Sequence, residues 1–148
     1  MATPTRTLVL DACVLIDFCL EDASILRLAA ASLGKVVVLS PILAEVDQLD
    51  EVEVERLNLM LIEPEIELVT AASIRRGGLS FRDRMCLLFS RTIGGTLYTN
   101  DRALLNAAQS ESVDVRWGLE ILLELVALSQ LSRPDAIAIA KSICRRSR

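Results

Sequence analysis

Leu8-Val9-Leu10-Asp11-Ala12-Cys13-Val14-Leu15-Ile16 is the stretch on which the reading of this chain turns. A short apolar run, read as a buried strand over residues 7–10, stops on an acid, and helical spacing begins at once. Burying an unpaired carboxylate at the end of an interior strand strips its water at high cost. Asp11 is therefore expected to be a satisfied cap, an ion-pair partner of an arginine, or a metal ligand.

Outward from that stretch, Val14 to Leu20 and Ser24 to Leu33 carry apolar residues at helical spacing, with Gly34 as a stop. Val36 to Leu39 is a β-branched second strand. Ser40-Pro41 is read as the cap and first position of a helix that carries Glu45. Residues from Asp47 to Ile62 are read as helix up to Pro64, with the alternation of acid and apolar residues over 47–55 also fitting an exposed strand; Ile66 to Thr70 is read as a third strand, followed by a short helix ending at Arg75-Arg76-Gly77-Gly78. Ser80 opens a helix reaching about Arg91, and Thr96 to Thr99 forms a fourth strand before a helix from Arg102 to about Gln109. Val113 to Trp117 is a fifth strand, and helices from Leu119 to Leu128 and Arg133 to Cys144 follow, the last capped by Ser132. Alternation at this spacing predicts a three-layer α/β/α sandwich around a parallel sheet of four to five strands.

The bulk numbers agree. A chain of 148 residues, 52% of them hydrophobic, is expected to be a single domain, residues 1–148, with central strands covered on both faces. No apolar run reaches the roughly 18 residues of a membrane span, and Asp11 and Asp17 interrupt the early apolar stretch, which argues against a signal peptide. The expectation is a soluble, cytoplasmic protein with no membrane partner. The four cysteines form no CxxC pair and are read as reduced core residues. With no histidine, Ser-His-Asp and Cys-His chemistry is excluded, and catalysis falls to carboxylates, hydroxyls, Lys, Arg or a metal.

In an open parallel sheet, ligands sit beyond the carboxyl ends of the strands where strand order reverses. Asp11 and Asp101 follow strands one and four; Glu45 follows strand two, and Asp83 lies in the first turn of a helix that can face the same edge. Singly, Asp83 completes a capping box with Ser80, Asp101 caps the next helix, and Glu45 is a solvated face residue. Their convergence on one edge makes the four together a candidate metal and catalytic site. The net charge of −4 does not exclude a nucleic-acid partner: with four acids in one site, the remaining 16 balance the 16 Lys and Arg.

These residues also carry a resemblance. The opening stretch, Ser40-Pro41-Ile42-Leu43-Ala44-Glu45-Val46, Gly78-Leu79-Ser80-Phe81-Arg82-Asp83 and Leu97-Tyr98-Thr99-Asn100-Asp101-Arg102-Ala103-Leu104 resemble, in order, the four acidic motifs of PIN-domain ribonucleases over nearly the whole chain. One departure is Cys13, where the family often has a hydroxyl or amide residue. The resemblance implies a metal-dependent endoribonuclease, in small prokaryotic chains commonly the VapC-like toxin of a toxin–antitoxin pair, with Asp11, Glu45, Asp83 and Asp101 as ligands. Oxygen-only ligands suit Mg²⁺ or Mn²⁺, which can activate a water and steady the leaving oxygen; products with 5′-phosphate and 3′-hydroxyl ends are implied. Thr99 and Asn100 are candidates for orienting metal-bound water or else ordinary strand-end residues, and Asp17 is read first as a surface or capping residue and second as an outer participant.

Arg75, Arg76, Arg82, Arg84, Arg91 and Arg102 flank the proposed site and are candidates for gripping RNA phosphates. Aromatics make up only 3% of the chain, so base stacking is a small part of recognition. The segments 23–33 and 47–62 are candidate surfaces for an antitoxin or for a second copy, and a homodimer is expected. Other classes fit less well. An inert PIN-like protein-binding module would not need the acid set. A receiver domain wants a lysine after a late strand, and an aspartyl phosphatase a second Asp where Cys13 stands.

Overall fold

The computed structural model describes residues 6–74 and 77–146. In chain order these form β1 (Thr7–Leu10), α1 (Ala12–Glu21), α2 (Ser24–Ser32), β2 (Lys35–Leu39), α3 (Ser40–Leu43), α4 (Glu51–Arg56), β3 (Met60–Ile62), α5 (Ile66–Ser73), α6 (Phe81–Ile93), β4 (Thr96–Thr99), α7 (Arg102–Ser110), β5 (Val115–Trp117), α8 (Glu120–Ala127) and α9 (Arg133–Arg146). The five strands make one parallel sheet in the order β3-β2-β1-β4-β5. Leu8, Val9 and Leu10 are wholly buried, as are Val38, Leu39 and Leu97, which is why the central strands read as unbroken apolar runs.

Chain direction across the sheet reverses at β1. The path steps outward from β1 to β2 and β3, then returns to β1's other edge with β4 and continues to β5. The connections between these parallel strands carry helices to both faces of the sheet. On one face α1, α2, α8 and α9 pack together, while α6, joined to α5 and α7, lies over β1 and β4. Gly34, at φ +150°, sits where a Cβ would lie 2.3 Å from the Arg6 carbonyl oxygen. That same oxygen accepts from Lys35 N at 2.8 Å, so the glycine lets β2 settle beside β1.

Several segments differ from the sequence expectation. Ser40 does not cap α3; Leu39 is the N-cap, and Ser40 Oγ is instead drawn into a hydrogen bond with Glu63. Moreover α3 ends at Leu43, so Glu45 stands in the turn just beyond it rather than on a helix. Between Asp47 and Ile62, only Glu51–Arg56 is helical, and Met60–Ile62 is an edge strand. The break is an αL C-cap: Asn58 has φ +61°, Leu59 N donates to Val54 O at 2.9 Å and Asn58 N to Glu55 O at 3.0 Å. Ile66–Ser73, expected to begin as a strand, is helix throughout, with Leu68, Val69 and Ala72 turned inward. Of the four free cysteines Cys86 is buried, Cys13 and Cys19 are half-buried, and Cys144 is exposed, contrary to the reading of all four as core.

Candidate functional site at the carboxyl edge of the sheet

Asp11 leaves β1 at the point where strand order reverses, and it is only 3% exposed. Its carboxylate is the N-cap of α1, accepting from Val14 N at 3.0 Å. Cys13 Sγ donates to it, lying 3.0 Å from Oδ1 and 3.1 Å from Oδ2, and Thr99 Oγ1 donates to Oδ2 from the end of β4. Thus the thiol that replaces a hydroxyl or amide still holds the acid. Among the described residues Asp11 has no cationic partner, which removes the ion-pair reading. Burial raises its pKa from 3.8 to about 6, against the pull of the Cys13, Thr99 and Val14 hydrogen bonds; the negative charge of Asp83 adds to the rise.

Asp83 sits in the first turn of α6, where it and Ser80 form the expected capping box. Its pKa too is raised, first by burial, then by the charge of Asp101 and, to a smaller extent, of Glu45. The thiol of Cys86, wholly buried on α6, is pushed well up by burial and by the fields of Asp11, Asp83 and Glu45 together. The fields therefore join all four acids into one negative neighbourhood. They do not form a finished ligand set. Among the described residues no three His, Cys, Asp or Glu side chains are gathered so as to hold a metal ion as they stand. Glu45 is ion-paired to Arg82 Nη1 at 2.9 Å, and Arg82 Nε also donates to Pro41 O at 3.1 Å. Asp101 is the N-cap of α7, accepting from Ala103 N at 2.8 Å and Leu104 N at 3.4 Å.

Thr99 and Asn100 are tied into the same edge. Thr99 Oγ1, besides donating to Asp11, accepts from Asp101 N at 3.0 Å. Asn100 Nδ2 donates to Asp17 Oδ2 at 2.8 Å, and Asn100 Oδ1 accepts from Gly118 N at 3.0 Å. Gly118 went unnoticed in the sequence, where no spacing marks it; here a Cβ would come within 2.7 Å of Val14 and 2.8 Å of Asn100 Oδ1. Of the candidate phosphate-binding arginines, Arg75 and Arg76 lie outside the described residues. Arg91 is paired to Glu111 at 2.7 Å, Arg102 is exposed at the start of α7, and Arg84 is buried.

Carboxylate oxygens without a cationic partner, buried at a sheet edge, match the donor chemistry of a hard divalent ion. Of the four acids only Asp11 is buried; Asp83 is half-buried, Asp101 exposed and Glu45 held by Arg82, so their oxygens suit such an ion in kind without being gathered around one point. No family model matches this sequence, and no curated protein matches it either. Among solved structures, a domain of a protein of unknown function from Methanocaldococcus jannaschii is similar at 14% identity and a TM-score of 0.49, covering 76% of this chain and 90% of that one. A PilT N-terminus domain protein from the hyperthermophilic archaeon Sulfolobus solfataricus is similar at 13% identity and a TM-score of 0.58, covering 86% of this chain and 96% of that one. At that identity the likeness is one of fold: this chain folds as a PilT N-terminus, or PIN, domain does.

Proposed function

We propose that this chain is an Mg²⁺- or Mn²⁺-dependent endoribonuclease that hydrolyses RNA phosphodiester bonds at the carboxyl edge of the sheet. The observation that supports it best is Asp11: a buried carboxylate with no cation beside it among the described residues, under the charge of Asp83, at the strand-order reversal. Such a cluster is stabilised by a bound divalent cation, which supplies a polarised water and a counter-charge for the departing oxygen. The chain's own part is to aim and hold the donors. Thr99, Cys13 and Val14 N fix Asp11, Ser80 fixes Asp83, and the Ala103 and Leu104 amides fix Asp101. In this reading Asn100, whose amide is clamped between Gly118 and Asp17, orients a water with the donor and acceptor capacity those two bonds leave. Products with 5′-phosphate ends, a toxin role with a cognate antitoxin, and a homodimer belong to the same proposal and rest on the motif resemblance.

A second reading is a non-cutting PIN-like binding module, favoured by the Arg82–Glu45 pair that occupies one of the four acids. Two measurements separate them. Calorimetric titration with Mn²⁺ should find an acid-dependent site that Asp11→Asn removes. Pooled RNA should be cut by the unsubstituted protein with Mn²⁺, not with EDTA, and not by Asp11→Asn. Equal cutting by both proteins sinks the assigned site; no Mn²⁺ binding and no cutting favours the module.

A further inference from the structure

Beside the carboxylate edge, between α6 and α7, lies a cavity of about 450 Å³ bordered by Gly77, Gly78, Arg84, Arg91, Ala103 and Glu111. Arg84 follows Asp83 on α6, so the two side chains leave the helix about 100° apart, one toward the acids and one toward this cavity. Arg84 is 9% exposed, and its Nε is a buried donor with no hydrogen-bond partner. Among the described residues its guanidinium also makes no ion pair. A nearly buried, always-charged guanidinium whose Nε lacks an acceptor is an unmet demand in a native fold. The one acid at the rim, Glu111, is already paired to Arg91 at 2.7 Å, so the cavity keeps a net positive charge. On its glycine side, among the described residues, a Cβ at Gly77 or Gly78 would meet nothing within 4 Å.

We infer that this cavity seats one backbone phosphate of single-stranded RNA, gripped by the Arg84 fork with Arg91 at the rim. A phosphate offers several acceptor oxygens in the geometry a guanidinium fork matches, and its charge offsets the one that Arg84 buries. Only the identity of the ligand as RNA rests on the ribonuclease reading. The position beside Asp83 makes this a register device, holding the strand by a phosphate that flanks the one to be cut. Arg84 is a positioning residue.

The test measures binding of a fluorescein-labelled single-stranded oligoribonucleotide in EDTA, so that no cutting is needed, for the unsubstituted chain, Arg84→Met and Arg84→Lys across a salt series. Arg84→Met should weaken binding about tenfold and flatten the log K against log salt slope by about 0.7. Arg84→Lys should weaken binding while keeping the slope. The Tm of Arg84→Met should be unchanged or higher, because methionine relieves an unpartnered buried donor. Unchanged affinity and slope in Arg84→Met, or a fall in Tm in both variants, overturns the inference, since the guanidinium then serves the fold alone. Inorganic phosphate is the second arm. Displacement of RNA from the unsubstituted chain but not from Arg84→Met supports the site; thermal stabilisation by phosphate with RNA affinity unmoved by either variant assigns the cavity to a small phosphate compound and overturns it. RNA held through Arg84 by a protein that never cuts would defeat the nuclease reading alone, and cutting with Arg84-independent binding would defeat this one alone.

Discussion

Asp11→Asn should make the metal-free protein more stable at neutral pH, although the same change removes the proposed activity. Folding raises the Asp11 pKa from 3.8 to about 6, so the native state holds the proton more tightly than the unfolded chain. At about 1.4 kcal/mol per pH unit, keeping this carboxylate ionised costs the fold about 3 kcal/mol at pH 7 and above. Stability contributed through this group is therefore full below pH 3.8 and is lost as the pH rises through about 6. Asparagine keeps the shape and the cap to Val14 N but is a poorer acceptor for Cys13 and Thr99, which gives back about 1 kcal/mol for each weakened bond. The net gain at pH 7.5 should lie between about 1 and 3 kcal/mol, a Tm increase of roughly 2–4 °C per kcal/mol. Urea unfolding in EDTA at several pH values is the assay. The advantage of Asp11→Asn should be greatest above pH 7 and close below pH 4. It should shrink again when Mn²⁺ is added, because the cation stabilises only the carboxylate form. A variant less stable at pH 7.5, or an advantage that does not change with acid, would refute the reasoning.

Two further outcomes follow from the same edge. Arg82→Ala should leave stability within about 1 kcal/mol, because its pair with Glu45 is largely solvated. It should tighten Mn²⁺ binding severalfold by freeing Glu45, read by calorimetry; weaker or unchanged binding would mean that Glu45 is no ligand. Gly118→Ala should cost about 1–3 kcal/mol by pressing on Val14 and Asn100. It should also detach Asn100 from Asp17, lowering RNA cutting beyond what the unfolded fraction accounts for; activity that tracks stability alone would remove Asn100 from the site.

The parts legible in the sequence were those where one signal had one meaning. A fully buried parallel strand must be a continuous apolar run, so β1, β2 and β4 announced themselves. Acids placed just after them located Asp11 and Asp101 at the reversal of strand order. Legibility failed in 40–73, where short elements meet. Ile66-Glu67-Leu68-Val69-Thr70 is rich in β-branched residues, yet packing against α6 makes it helix. The end of α4 is marked by Asn58, which takes the left-handed conformation usually given to glycine, and α7 and α8 end likewise on Ser112 and Ser129. The Ser40–Glu63 and Arg82–Glu45 contacts join residues far apart in the chain, so no local pattern could have revealed that Ser40 is not a cap or that one of the four acids is held by an arginine.

The placement of β1 has a consequence for when the centre comes into being during synthesis. β1 lies in the middle of the sheet and is made before both of its neighbours, so its second flank stays empty until Thr96–Thr99 has emerged. Until then the backbone amide of Asp11 has no Tyr98 carbonyl to bind and its side chain has no Thr99 hydroxyl. Until β4 is made, the Asp11 carboxylate thus stays hydrated, and the pocket closes around it only once Thr96–Thr99 has joined the sheet. In the ribonuclease reading proposed above, the centre is therefore assembled only after β4 has been made.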